Sequence, residues 1–368
     1  MQRDDVAKLL YLLHTDWAWI KQRSQFIAEE LHKIGFDMTV VYKLSARRKS
    51  LVNNATDLPV YPLPFLPFKW RTFKPLRWLD RLIWQWVIKA FVVKTGVTHV
   101  IVTHPFLGEY LKKTKAIVIY DCHDDNAEFY PPGPLKTLVE NSHSELLRNS
   151  ALNIFSANYL QSKYSRDSRS LVIRNGHTIN LGSHLSRGEL KLDPGRTFNI
   201  FYFGTISEWF DFDLLLYLLD CFDNLTFTLI GPSDIAGPNH PRLKLMAPLN
   251  HRELLTFSRQ ADAFIMPFKI NSLIEGVDPV KLYEYLSYDV PVLTVYYEEL
   301  SHFKGLVDFY RNSIEAYKLI ESYMTGRPSL IDRSMRDRFL KDSTWRARAR
   351  QYAASIEAIA TKPSSTRN

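Results

Sequence analysis

A chain of 368 residues with 46% apolar and 23% charged residues belongs to a folded globular protein, too long for one ordinary core and suited to two domains. Two cysteines, Cys122 and Cys221, exclude a disulfide framework and a cysteine-built zinc site, and fit a reducing cytoplasmic compartment. The net charge of +8 is uneven: up to Asn180 there are 25 Lys and Arg against 16 Asp and Glu, and beyond it 22 against 23, so the first half suits an anionic partner.

VAKLLYLL (6–13) predicts a buried strand, and WIKQRSQFIAEELHKIG (19–35) a helix stopped by glycine. Between them His14, Asp16, Trp17 and Trp19 are expected at the strand's carboxyl end, with Arg23 near the helix start as part of an anion site. A tryptophan packed in the core is the other reading. MTVVY (38–42), HVIVTH (99–104), AIVIY (116–120) and LNIFS (152–156) continue the type, and such unalternated Val/Ile runs mark a parallel sheet covered on both faces. KWRTFKPLRWLDRLIWQWVIKAF (69–91) holds four of the eight tryptophans. At helical spacing Leu76, Leu79, Ile83, Trp86 and Ala90 make a stripe expected to face the sheet. Arg77, Trp78, Arg81, Trp84 and Ile88 are then expected outward, as a basic and aromatic side suited to an anionic membrane surface or to solvent. YDCHDDNAEFY (120–130) places Asp121, His123, Asp124 and Asp125 at the end of another strand, as candidate acid–base groups or a hydrated turn.

The pattern breaks through 176–196, which is polar and turn-rich, and then restarts. The expected organisation is a first domain over 1–180, a linker over 181–196, a second domain over 197–342, and a closing helix and tail over 343–368, the helix packing back on the first domain. FNIFYFG, LTFTLIG, ADAFIMP and PVLTV are the second domain's strands, alternating with helix patterns. The fold class is therefore α/β, with two Rossmann-like doubly wound domains facing a central cleft. No apolar run approaches a membrane span or a signal peptide, so a soluble or surface-bound chain is expected.

In VDPVKLYEYLSYDVPVL (277–293), Asp278 and Pro279 read as N-cap and first helical residue. Lys281 then lies in the first turn, where the helix dipole repels a cation unless an anion caps that turn. Glu284, on the same face, can accept hydrogen bonds from a hydroxyl pair, and a phosphate beside a polyol is a nucleotide. The bland alternative is a Lys281–Glu284 ion pair worth on the order of a few tenths of a kcal/mol. Gly204, followed by Thr205, and Gly231 each end a strand, where backbone can approach a diphosphate. Neither domain carries a G-x-G-x-x-G after its first strand, which argues against a dehydrogenase, and no P-loop is present.

WIKQRSQFIAEELHKIGFDMTVVY, YDCHDD, VIRNG, YFGTISEWFDFDLL, LIGP, MPFK and DPVKLYEYLSYDVPVL, in this order, resemble glycosyltransferases of the GT-B fold. The resemblance is to the family 4 type, in the branch with teichuronic-acid and exopolysaccharide sugar transferases. It implies transfer of a sugar, with retention, from a UDP- or GDP-sugar to a lipid-linked or oligosaccharide acceptor. This would serve cell-surface polysaccharide biosynthesis at the inner face of the cell membrane, with no metal and no cofactor beyond the nucleotide sugar. By similarity Lys281 and the backbone at Gly204 hold the diphosphate, Glu284 the ribose and Glu275 the donor sugar. Asp124, Asp121 or His123 would act on the acceptor side, with His14, Asp16 and Trp17 contacting the acceptor. Two alternatives are a nucleotide-sugar epimerase of the same fold, which would form product with no acceptor, and a non-catalytic membrane scaffold. A nucleic-acid partner is not expected, because the basic residues cluster with tryptophans and no reading motif is present.

Overall fold

The computed structural model describes residues 7–18, 21–45, 56–164, 167–178, 196–249, 251–288, 290–326 and 332–360. The chain divides into two compact units, Met1–Asn175 with Trp345–Asn368, and Gly176–Thr344. Trp19 and Asp289 lie outside the described residues, as does most of the expected linker.

In the first unit the strands are β1 (Lys8–Leu13), β2 (Asp37–Lys43), β3 (Val60–Leu63), β4 (His99–Val102), β5 (Ile117–Cys122), β6 (Leu152–Phe155) and β7 (Ser170–Val172). They form one parallel sheet in the order β3-β2-β1-β4-β5-β6-β7. The order reverses between β1 and β4, so the crevice for a ligand opens beyond the carboxyl ends of those two strands. Helices α1 (Arg23–Lys33), α2 (Lys74–Thr95), α3 (Pro105–Gly108), α4 (Pro134–Asn149) and α5 (Asn158–Tyr164) connect them. A capping box at Gln22 starts α1, whose first residue, Arg23, is already buried.

The second unit repeats the plan. β8 (Phe198–Phe203), β9 (Leu225–Ile230), β10 (Leu243–Met246), β11 (Ala263–Met266), β12 (Val292–Val295) and β13 (Asp308–Tyr310) pair in parallel in the order β10-β9-β8-β11-β12-β13. Its switch point is between β8 and β11. Its helices are α6 (Phe212–Cys221), α7 (His251–Ser258), α8 (Ser272–Glu275), α9 (Val280–Tyr285), α10 (Ser313–Met324) and α11 (Arg333–Asp342). After α11 the chain re-enters the first unit as α12 (Trp345–Ala360), whose Trp345 stacks on Phe26 of α1 at 5.0 Å.

The rotation of α2 differs from the sequence expectation. Leu79, Ile83 and Trp86, expected against the sheet, are exposed, whereas Ile88, expected outward, is 1% exposed. Trp84 packs edge-on against Phe65 at 4.7 Å, and Arg77 binds Glu109 at 2.8 Å. Both sides of the helix carry large apolar residues, the second mixed with arginines, and hydrophobicity alone does not set the rotation. Polar anchors choose instead: Asp80 takes a bond from the buried Arg71 (2.9 Å), and the Gln85 amide donates to the Glu109 carbonyl (2.9 Å). Those groups could be buried only with these partners in reach. Trp78 remains exposed and Arg81 half-buried. Among the described residues no helix is long and apolar enough to cross a membrane.

Candidate functional site

In the second unit the register pairs Phe203 with Ile230, which brings the two strand-ending glycines side by side. Gly231 has φ +152°, and a Cβ there would lie 1.9 Å from the Gly204 carbonyl oxygen, so only glycine fits. A Cβ on Gly204 would meet the Tyr202 hydroxyl at 2.6 Å, and that hydroxyl donates to the Thr205 carbonyl at 2.7 Å. Thr205 itself is exposed. The Tyr285 hydroxyl of α9 donates to the Phe203 carbonyl and accepts from its N–H, both at 3.0 Å. This ties α9 to the end of β8 and sets Lys281 with its ammonium 5.5 Å from the Phe203 ring.

Lys281 and Glu284 bind each other at 2.9 Å, with side-chain exposures of 33% and 18%. The ion pair is therefore formed, and its lysine lies against the ring of Phe203, the residue before Gly204. The start of α9 departs from expectation. Pro279 is the N-cap, and the Asp278 carboxylate is buried, accepting from the Tyr283 hydroxyl at 3.0 Å. An acceptor for a buried tyrosine outcompetes a helix cap here, and α9 is one and a half turns long. Glu275 is exposed at the end of α8.

In the first unit the structure separates the acid–base candidates. Asp121 is fully buried within β5. One oxygen accepts from Arg23 (3.1 Å) and Tyr352 (2.7 Å), the other from Tyr11 (2.7 Å). Burial pushes this carboxyl up, but the Arg23 guanidinium, His123 and the hydroxyls of Tyr352 and Tyr11 together outweigh it and hold the group below the usual carboxylate range. Arg23, read as part of an anion site, instead braces α1 and α12 to the sheet through Asp121, Tyr352 and Asn175. Asp125 is likewise engaged, by Lys163 (2.8 Å) and Tyr164 (2.6 Å).

His123 and Asp124 stay at the rim, 3.4 Å apart. Burial raises the Asp124 carboxyl above its ordinary value, with His123 opposing. The His123 Nδ1 is buried and has no partner among the described residues. His14, at the end of β1, stacks on His123 with ring centres 5.7 Å apart and lies 5.1 Å from His104, at the end of β4. The Thr103 hydroxyl donates to the Leu12 carbonyl (3.2 Å), so it accepts from the His14 Nδ1–H (2.9 Å). Burial, then His123 and Lys43, push His14 down to about 3. Lys43 sits 3.6 Å from the Phe68 ring and is lowered to about 8 by burial and Arg71. The switch point of this sheet thus carries three imidazoles, a lysine and one carboxylate. Lys43 and His104 were missed from sequence; their strand-end positions were the available signal.

Asp16 is buried, accepting from the N–H groups of Ala18 (3.0 Å) and Ser45 (2.8 Å), which holds two loops together. Trp17 is 4% exposed, so the core reading holds for it.

No protein-family model and no curated protein matches the chain. Solved structures do. Sucrose-phosphate synthase from Thermosynechococcus elongatus is similar at TM-score 0.69 and 12% identity, over 96% of this chain and 99% of that one. The lipopolysaccharide outer core galactosyltransferase WaaB is similar at 0.66 and 9%, over 95% and 99%. HepE of Anabaena, solved with UDP and glucose, is similar at 0.67 and 15%, over 96% and 100%. These neighbours are GT-B glycosyltransferases, and the chain has their fold: two Rossmann-like domains, each a doubly wound parallel sheet.

Proposed function

We propose that the protein is a glycosyltransferase that moves a sugar from a UDP- or GDP-sugar to a glycan acceptor, with retention of configuration and without a metal. The acceptor is lipid-linked, the process is cell-surface polysaccharide biosynthesis, and the protein works at the cytoplasmic face of the membrane. The observation that carries this reading is the grouping of Gly204, Gly231, Lys281 and Glu284 at the end of β8. The glycines let a diphosphate approach main chain that no Cβ obstructs.

The ion pair supplies the two halves of nucleotide recognition. As a partly exposed pair it is worth about 0.3–0.5 kcal/mol. A charge-assisted bond from Lys281 to a phosphate is worth about 1.5–3 kcal/mol, so exchange of partners is favourable. The released Glu284 carboxylate then accepts from the ribose hydroxyls. When the glycosidic bond to the diphosphate breaks, negative charge grows on the leaving oxygen, and the ammonium stabilises it. Thr205 and Glu275, both exposed, contribute to the donor, Glu275 toward the sugar. His123, Asp124 and His14 serve the acceptor hydroxyl. Support also comes from HepE, which binds UDP and glucose on the same fold.

The test is release of UDP or GDP from a panel of nucleotide sugars, with and without acceptor glycan, followed by NMR of the product anomer. Acceptor-dependent transfer with retained anomer is expected. An epimerised nucleotide sugar formed equally without acceptor, with no net release of UDP or GDP, would make the protein an epimerase, and no turnover of any donor would make it a scaffold.

A further inference from the structure

Of the 15 large hydrophobic residues exposed among the described residues, eight fall between Trp70 and Val93. On α2, Trp78, Leu79, Ile83, Trp86, Val87 and Val93 occupy the arc opposite the buried Asp80, Ile88 and Val92, and are 41–74% exposed. Trp70 and Phe73, in the turn before the helix, add 53% and 63%. An apolar face of this size must be covered or used.

We propose that this outward face of α2 and the turn before it dock on an anionic lipid bilayer. The proposal deepens the membrane placement above, but it does not rest on sugar transfer. Its charge argues for the occupant. The ammonium groups of Lys89 and Lys113 lie 5.2 and 5.0 Å from the Trp86 ring. Lys69, Lys74 and Lys94 follow along the same segment, in no ion pair among the described residues. The acidic groups packed beside it, Asp80 and Glu109, are buried against Arg71 and Arg77. Tryptophan and lysine around an apolar arc is the pattern of a helix lying in the headgroup layer. A second copy of this chain is disfavoured as the occupant, because it would bring those lysines together. Beside the face, a groove of about 320 Å³ runs between the 64–67 segment and α2, lined by Phe65, Leu66, Leu76, Leu79, Ile83 and Trp84. It gives an acyl chain an apolar seat.

The experiment is co-sedimentation of the full chain with vesicles of phosphatidylcholine alone and of phosphatidylcholine with phosphatidylglycerol. Wild type is expected to bind the anionic vesicles at least tenfold better. Ile83→Glu with Trp86→Glu, on exposed side chains, should lower that binding at least tenfold with an unchanged melting curve, and Lys89→Glu with Lys94→Glu should remove the preference for phosphatidylglycerol. Equal binding by wild type and the Ile83/Trp86 variant, or none by wild type, overturns the proposal. So does a wild-type dimer that the Ile83/Trp86 variant converts to monomer, which would give the face to a second copy. Vesicle binding by a wild type that turns over no nucleotide sugar would count against the transferase reading and leave this one standing.

Discussion

Gly231 presses against Gly204: a side chain on the first would strike the carbonyl oxygen of the second at 1.9 Å, and its backbone sits at φ +152°. Gly231→Ala must therefore both strain the backbone and push β9 from β8. A loss of about 2–4 kcal/mol is expected, with donor binding lost at temperatures where the variant remains folded. Denaturant unfolding and calorimetric titration with UDP check the two parts, and an alanine variant with wild-type stability would show that the two strand ends can separate freely.

Lys281→Ala should separate chemistry from folding. The ion pair it removes is partly exposed, so stability should change by less than about 0.5 kcal/mol. Turnover of the nucleotide sugar should fall about 10²–10³-fold, the usual effect of removing one group that stabilises transition-state charge. Steady-state kinetics beside a thermal melt measures both.

Asp121 and Asp124 should respond oppositely. Arg23→Met leaves the Asp121 carboxylate buried without its cation, at a cost of about 3–5 kcal/mol, and Asp121→Asn should likewise act on stability. Asp124→Asn should leave the unfolding midpoint near wild type and lower kcat about 10²-fold. Were Asp121→Asn folded at full stability yet inactive, the buried ion pair would be part of the chemistry.

The imidazoles at the first switch point should make the protein acid-sensitive. His14 is held at about 3 and His104 is also held well below the ordinary imidazole value, both mainly by burial, and His143, buried on α4 away from the switch point, is held at about 4 for the same reason. The unfolded chain binds protons on these rings near 6.5 while the folded chain refuses them, so between about 6.5 and 3 stability rises with pH. It is complete above the unfolded value and is lost as pH falls. Unfolding midpoints from pH 7 to 4 should drop, and His14→Gln should flatten the slope. A His14 ring proton signal titrating near 6.5 would contradict this.

The strands legible in the sequence are the inner ones. β1, β2, β4, β5 and β6, and β8, β9, β11 and β12, read as apolar runs because they are covered on both faces. The strands that escaped, β3, β7, β10 and β13, are the four sheet edges. They are short, and VYPL (β3) and LKLM (β10) carry a proline and a lysine that edge positions tolerate. The rotation of α2 was not legible, because both of its sides carry large apolar residues and partners distant in sequence, such as Glu109, choose between them by pairing with Arg77 and Gln85. For the same reason Asp278 passed for a helix cap and Asp121 for an acid–base candidate. A carboxylate's partner across the fold is invisible to local pattern. The Lys281–Glu284 ion pair was legible because both residues lie on one short segment.

The most direct measurement is calorimetric titration of UDP- and GDP-sugars into wild type and Lys281→Ala. Binding of one of them by wild type, at least tenfold weaker in Lys281→Ala with the melting curve unchanged, is the expected result. Equal affinity in the two proteins, or no affinity of wild type for any nucleotide sugar, would contradict the placement of the diphosphate at the end of β8.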